Sequence, residues 1–303
     1  MPRNCKIDYL MKKIFSEKKL VEKQWKNELN DVIRGASGGF LFGIPLLYTM
    51  EVWWIGSSAH MFRLLVALLL TFAIVFMLNR TAGFRQTSDI YAIDAAMDSV
   101  EAMAIGLVCT ASMLILIQEI TSQTPLNEAL GKLIYESTPF TLGVALANQF
   151  LSGQEENEAQ KSDSLASDQN TFNATFSDIG GTLIGAIIIA FNIAPTDEIP
   201  MITAAVNGLW LVAIMAASLL VSYMIVFAAG FTNQQKRHQQ EGIFQNPYSE
   251  TLISYLVSLL AACMMLVFFD KLRWQDPWHL WLSYSIILGL PATIGGAAGR
   301  LAI

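Results

Sequence analysis

The chain repeats itself, and both copies are mostly apolar. GGFLFG from Gly38 returns as GGTLIG from Gly180, and Thr49-Met50-Glu51 returns as Thr196-Asp197-Glu198. Gly83-Phe84 is answered by Gly230-Phe231, and Ser99-Val100-Glu101 by Tyr248-Ser249-Glu250. The run from Pro139 to Ala145 is answered by the run from Pro291 to Ala297, and all five blocks keep their order. A duplication of apolar modules restricts the fold severely. Such modules pack about a pseudo-symmetry axis, and in transporters the substrate site lies where the repeats meet.

Apolar residues make up 53% of the 303 residues and charged residues only 15%, against about 25% charged in ordinary soluble domains. The charges are clustered, which leaves stretches near the roughly 20 residues that a helix needs to cross a bilayer. Eight spans are expected, over about 36–55, 61–79, 97–117, 133–151, 179–195, 202–229, 250–269 and 277–299. The fourth carries Glu136 and Asn148 and is the least apolar; Pro195 ends the fifth. Long runs without period-two alternation exclude a β-barrel. The expected fold class is all-α, a polytopic membrane protein of about eight transmembrane helices arranged as two parallel four-helix repeats. Its parts are a basic arm (1–34), a first repeat (35–151), a polar acidic linker (152–178) and a second repeat (179–303).

Lysine and arginine set the orientation. With the N-terminus inside, fifteen of the nineteen fall on the cytoplasmic side, leaving Arg63, Lys132, Lys271 and Arg273 outside. That bias predicts an inner-membrane protein with both termini cytoplasmic. Four spans per repeat keep the copies in the same orientation, with the pseudo-axis along the membrane normal. The first apolar run begins after residue 35, so no cleavable signal peptide is expected at the start. The net charge of −6 reflects the linker, which is rich in Ser, Gln, Asn and acids and reads as a disordered tether. Residues 7–33 form an amphipathic pattern with lysines on one face, suited either to anionic lipid or to a purely topogenic role. Cys5, Cys109 and Cys263 have no metal-ligand spacing and read as structural.

The candidate chemistry lies in acids set among apolar residues. Glu51 follows Leu46-Leu47-Tyr48-Thr49-Met50 and precedes Val52-Trp53-Trp54. A charge at mid-membrane costs about 2.5–3.5 kcal/mol on insertion scales, so such a group pairs, protonates or lines a wet cavity. Glu198, with Thr196 beside it and Pro195 breaking the helix, repeats the arrangement. Carboxylate and hydroxyl oxygens suit sodium, calcium or protons. Thr49, Glu51, Thr196 and Glu198 are therefore the candidate cation or proton ligands; the competing reading places both elements at the membrane boundary, beside an aromatic belt of Trp53 and Trp54. Glu101 and Glu250 open the third span of each repeat. They read either as an inner acidic ring, with Asp94 and Asp98 beside it, or as acids favoured by the helix dipole. Pro45, Pro139, Pro195 and Pro291 are candidate helix breaks or gates. The glycines read as close-packing positions. His60, His238 and His279 are scattered and no hydrolase or redox motif appears, so neither an enzyme nor a cofactor is expected. The metal question stays open at this stage.

At GGFLFGIPLLYTMEVWW (38–54), APTDEIPMI (194–202) and LGLPATIGGAAGRL (288–301) the chain resembles a family of bacterial integral membrane proteins of unknown function. The resemblance covers the chain from about residue 30 onward and implies a polytopic inner-membrane protein; it brings no substrate or catalytic residue. From the residues, the leading expectation is a cation- or proton-coupled transporter, or a cation-conducting pore, with its acids at the repeat interface. The alternative is a non-transporting scaffold or sensor whose basic arm meets lipid or a partner. The bilayer and a small inorganic cation or proton are the expected partners, not nucleic acid, and a homodimer is a prior only.

Overall fold

A computed structural model describes residues 3–82, 92–147, 169–229 and 247–302. The Gly83-Phe84 and Gly230-Phe231 blocks and most of the linker lie outside the described residues. Among the described residues ten helices run in order: α1 (Arg3–Leu47), α2 (Met50–Ser57), α3 (Met61–Ala82), α4 (Ala92–Leu116), α5 (Leu126–Leu146), α6 (Gln169–Ile193), α7 (Glu198–Ala205), α8 (Gly208–Tyr223), α9 (Pro247–Phe268) and α10 (Trp278–Leu301). A π-helical turn, Met224–Ala228, extends α8. Among the described residues, α3, α4, α8 with its π turn, α9 and α10 are long and apolar enough to cross a membrane.

Two further segments qualify only as bent pairs, α1 with α2 at 90° and α6 with α7 at 88°, giving seven spans if each pair counts as one. This corrects the expected span over 36–55, which is not one helix. The chain leaves the helix after Leu47, passes through Thr49 in extended geometry (φ −137°, ψ 91°) and starts α2 in a new direction. It also corrects the sixth span, expected from residue 202. Residues 202–205 finish α7; Val206 and Asn207 are extended, and α8 begins at Gly208, where the Asn207 side chain accepts from the Trp210 N–H at 3.1 Å. Apolar composition is continuous through both breaks, so hydropathy registers length there and not direction. α1 runs unbroken from Arg3 through Gly35 into the apolar stretch, 45 residues or about 65 Å.

α5 and α10 are the hubs. α5 packs against α1, α2, α3 and α4, and α10 against α6, α7, α8 and α9. Their composition differs for a physical reason. α10 is buried among small and apolar residues from Ile286 to Ala297. α5 buries Lys132, Glu136, Ser137 and Thr141, which it can do because these side chains point into the protein, where partners can satisfy them. For the same reason it is absent from the apolar spans. α1 crosses from the first half to pack against α10 and the π turn.

Glycine sets the closest crossings. A Cβ on Gly38 would stand 2.5 Å from the Gly143 carbonyl oxygen, joining α1 to α5, and the Gly185–Gly295 pair does the same for α6 and α10. Gly56 and Gly131 bring α2 onto α5. The connections after α4 and α9 close alike. Gln118 (φ 64°) and Asp270 (φ 57°) adopt the left-handed conformation. The next N–H groups, of Glu119 and Lys271, then return to the carbonyls of Leu114 and Leu266. This is the Schellman way of ending a helix.

Candidate functional site

The two bends meet. Pro45 sits one turn from the end of α1, and the released Leu47 carbonyl is taken by the indole N–H of the fully buried Trp53 at 2.9 Å. Thr196 closes α6 by donating its hydroxyl to the Ile193 carbonyl at 2.6 Å, with exposed Pro195 in the turn. Asp197 then pairs with Lys271 at 2.9 Å, and Glu198 is the first residue of α7.

The Glu198 carboxylate is 4% exposed. Its Oε1 accepts from the backbone N–H of Met50, the first residue of α2, at 3.3 Å; its Oε2 is enclosed without a hydrogen-bond partner. The N-terminal ends of α2 and α7 thus converge on one carboxylate, each presenting the positive end of its dipole. Helices broken at a half-to-half interface, with termini aimed at a charged group, are how transporters build sites within the bilayer.

The two Thr-x-Glu elements are brought together but not equivalently. Glu51 is exposed, and Thr49 makes no capping hydrogen bond. Among the described residues no group of three or more His, Cys, Asp or Glu is placed to hold a metal. At the opposite ends of the helices, Glu101 is partly buried on α4. Glu250 on α9 forms a buried ion pair with Arg300 of α10, whose guanidinium also donates to the Ser254 hydroxyl at 2.7 Å and lies 5.6 Å from the centre of the Phe227 ring. Its charge is therefore already balanced within the protein. Sequence reasoning took Arg300 only as a topology charge and missed this pairing.

It also missed Tyr48. Pro291 cannot donate an N–H to the carbonyl four residues earlier, Ile287. The buried Tyr48 hydroxyl donates to that carbonyl at 2.9 Å, tying the α1–α2 bend to α10. Pro291 thus creates an acceptor that the first half uses. Tyr48→Phe should cost about 1–3 kcal/mol, because it leaves a buried carbonyl unsatisfied; a lowered thermal midpoint in detergent, with unchanged helix content, is the expected reading. Pro139 occupies the matching place in α5 and Pro45 the end of α1.

The family model described as "Putative integral membrane protein (DUF2391)" matches residues 31–303. No curated protein and no solved structure matches the chain. The chain belongs to this integral membrane family.

Proposed function

We propose that this family member is a transporter or pore for protons or another small cation, with Glu198 as its central binding group. The observation that carries the reading is the Glu198 carboxylate, buried where two bent helix pairs meet, with one oxygen tied to the other half and the other oxygen free to take a ligand. A proton fits that oxygen best. It needs one lone pair, whereas calcium takes six to eight oxygen ligands. Thr49 and Thr196 flank the site as hydroxyl ligands for water or a partly hydrated ion, and Glu51 stands nearer the surface as an entry group. Glu101, and Glu250 through its pairing with Arg300, hold the other end. No covalent chemistry is proposed.

In this reading the halves are two parallel repeats. α5 is the eighth span, its 21 residues reaching about 30 Å, the thickness of the hydrocarbon core. Both termini face the cytoplasm across an inner membrane, as the lysine and arginine bias supports. The test is purified full chain in liposomes with a pH-sensitive dye and imposed proton, sodium, potassium or calcium gradients. Dissipation above the protein-free rate is expected; no dissipation with any of them overturns the reading.

One observation favours the alternative. Trp25, Leu29 and Val32, on one face of α1, are 73%, 58% and 39% exposed, an apolar stripe suited to a lipid surface or a partner helix. A protein without flux whose residues 1–33 are needed for vesicle or partner binding would fit that scaffold reading instead.

A further inference from the structure

We infer that Glu136 is a second proton-binding carboxyl, separate from Glu198 and loaded from the Lys132 end of the molecule along one face of α5. Glu128, Lys132 and Glu136 recur at every fourth position, which stacks them on a single face of the helix. Exposure falls steadily along that face. The side chains of Glu128 and Lys132 are 34% and 10% exposed, and Glu136 is 1% exposed.

The state of Lys132 decides what Glu136 can be. Its ammonium reaches Glu128 Oε1 at 2.9 Å, Glu119 Oε2 at 3.1 Å and the Glu119 carbonyl at 3.2 Å. An ammonium has three donors, and all three have acceptors here. None is left for Glu136, one turn deeper. Glu136 Oε1 is enclosed with no hydrogen-bond partner. An ionised carboxylate so placed carries a desolvation cost of several kcal/mol, and no hydrogen bond at Oε1 offsets it. A metal would require further ligands, and no such group occurs among the described residues. The ligand that neutralises a lone carboxylate without other ligands is a proton.

Among the described residues, no hydrogen bond or ion pair joins a cation on the other elements packed on α5 to Glu136. Glu119, just past α4, is committed to Lys132. Tyr48, where α1 ends, donates to Ile287; Cys109 on α4 is a buried free thiol. Glu51 on α2, and His60 and Arg63 where α3 begins, are exposed. Arg34 on α1 donates to the Ala229 carbonyl. The surface-to-interior order Glu128, Lys132 with Glu119, Glu136 marks the face of α5 along which a proton would approach Glu136. In the loading step, an O–H bond of a hydronium ion at the Glu128 end breaks and leaves water, an O–H bond forms on the Glu136 carboxylate, and the charge of Glu136 goes from −1 to 0.

The inference rests on the transport reading for the use made of the proton, not for the existence of the site. The test is an infrared pH titration of the full chain in lipid, following the C=O stretch of protonated carboxyls. The expected result is a titrating band that Glu136→Gln removes, that Glu136→Asp shifts, and that survives in Glu198→Gln. Glu119→Gln should move its titration midpoint. A band unchanged in Glu136→Gln and in Glu136→Asp overturns the site, and a midpoint unmoved by Glu119→Gln overturns the coupling of Glu119 to it. Neither readout requires flux. A Glu136 band in a protein that moves no ions would retire the transport reading and leave this site standing.

Discussion

Glutamine at position 198 reduces gradient-driven flux to the protein-free background while the fold survives. The substitution keeps the size of the side chain and an oxygen able to accept from the Met50 N–H, so the contact between the two bends is retained. It removes the capacity to take up and release a proton. Stability should stay level or rise, because replacing a buried, partly unsatisfied carboxylate by a neutral group relieves desolvation. Glu51→Gln is the matched comparison. Glu51 is exposed, so its replacement should alter stability by no more than about 0.5 kcal/mol and leave most of the flux. Flux in proteoliposomes, with gel filtration and thermal midpoints for both variants, separates the outcomes. Full flux in a folded Glu198→Gln protein would move the ion path away from the half-to-half interface. Equal loss in both variants would restore the symmetric pair of ligands expected from the repeated Thr-x-Glu.

Much of this site is legible in the sequence, but only as position. Thr49, Glu51, Thr196 and Glu198 stand out because acids are rare in apolar surroundings, and the structure does bring the two elements near one another. Their inequivalence is not legible. Glu198 is enclosed and reaches the Met50 N–H of the other half while Glu51 faces outward, a relation between distant segments that local pattern does not encode. The bends are hidden for a related reason. Leu46, Leu47 and Tyr48 are as apolar as a continuing helix would be, and only Pro45 marks the change of direction. α5 shows the opposite effect. Its charges make it look like the weakest span, yet they mark it as an interior helix enclosed by four neighbours. The fourth-position spacing of Glu128, Lys132 and Glu136 was the available signal, and it identifies a shared face once the helix is known to be buried.

Leucine at Gly143 or Gly295 should prevent recovery of a folded bundle, and alanine should already lower the thermal midpoint. Between helices in lipid there is no hydrophobic driving force, so association depends on close van der Waals contact, and small residues are what permit it. At these crossings the obstruction is backbone against backbone. A Cβ on Gly143 collides with the Gly38 carbonyl and lies 3.0 Å from the Gly39 Cα; one on Gly295 collides with the Gly185 carbonyl and lies 2.9 Å from the Ile189 Cβ. No rotamer change relieves a clash with a carbonyl, so the helix axes themselves must separate. Overpacking costs about 1–3 kcal/mol where side chains can adjust, and alanine here should cost at least the upper part of that range. Gly180 and Gly208 supply the control, since an added Cβ meets nothing within 4 Å at either. Alanine there should be neutral or slightly stabilising, as expected for replacing glycine within a helix. The measurement is the monodisperse fraction and thermal midpoint in detergent across the four positions. Equal tolerance at all four would mean that the α1–α5 and α6–α10 crossings are wider than described. Loss confined to Gly143 and Gly295 would establish that the two hubs are held by glycine contact, the condition under which α5 can keep Lys132 and Glu136 away from lipid.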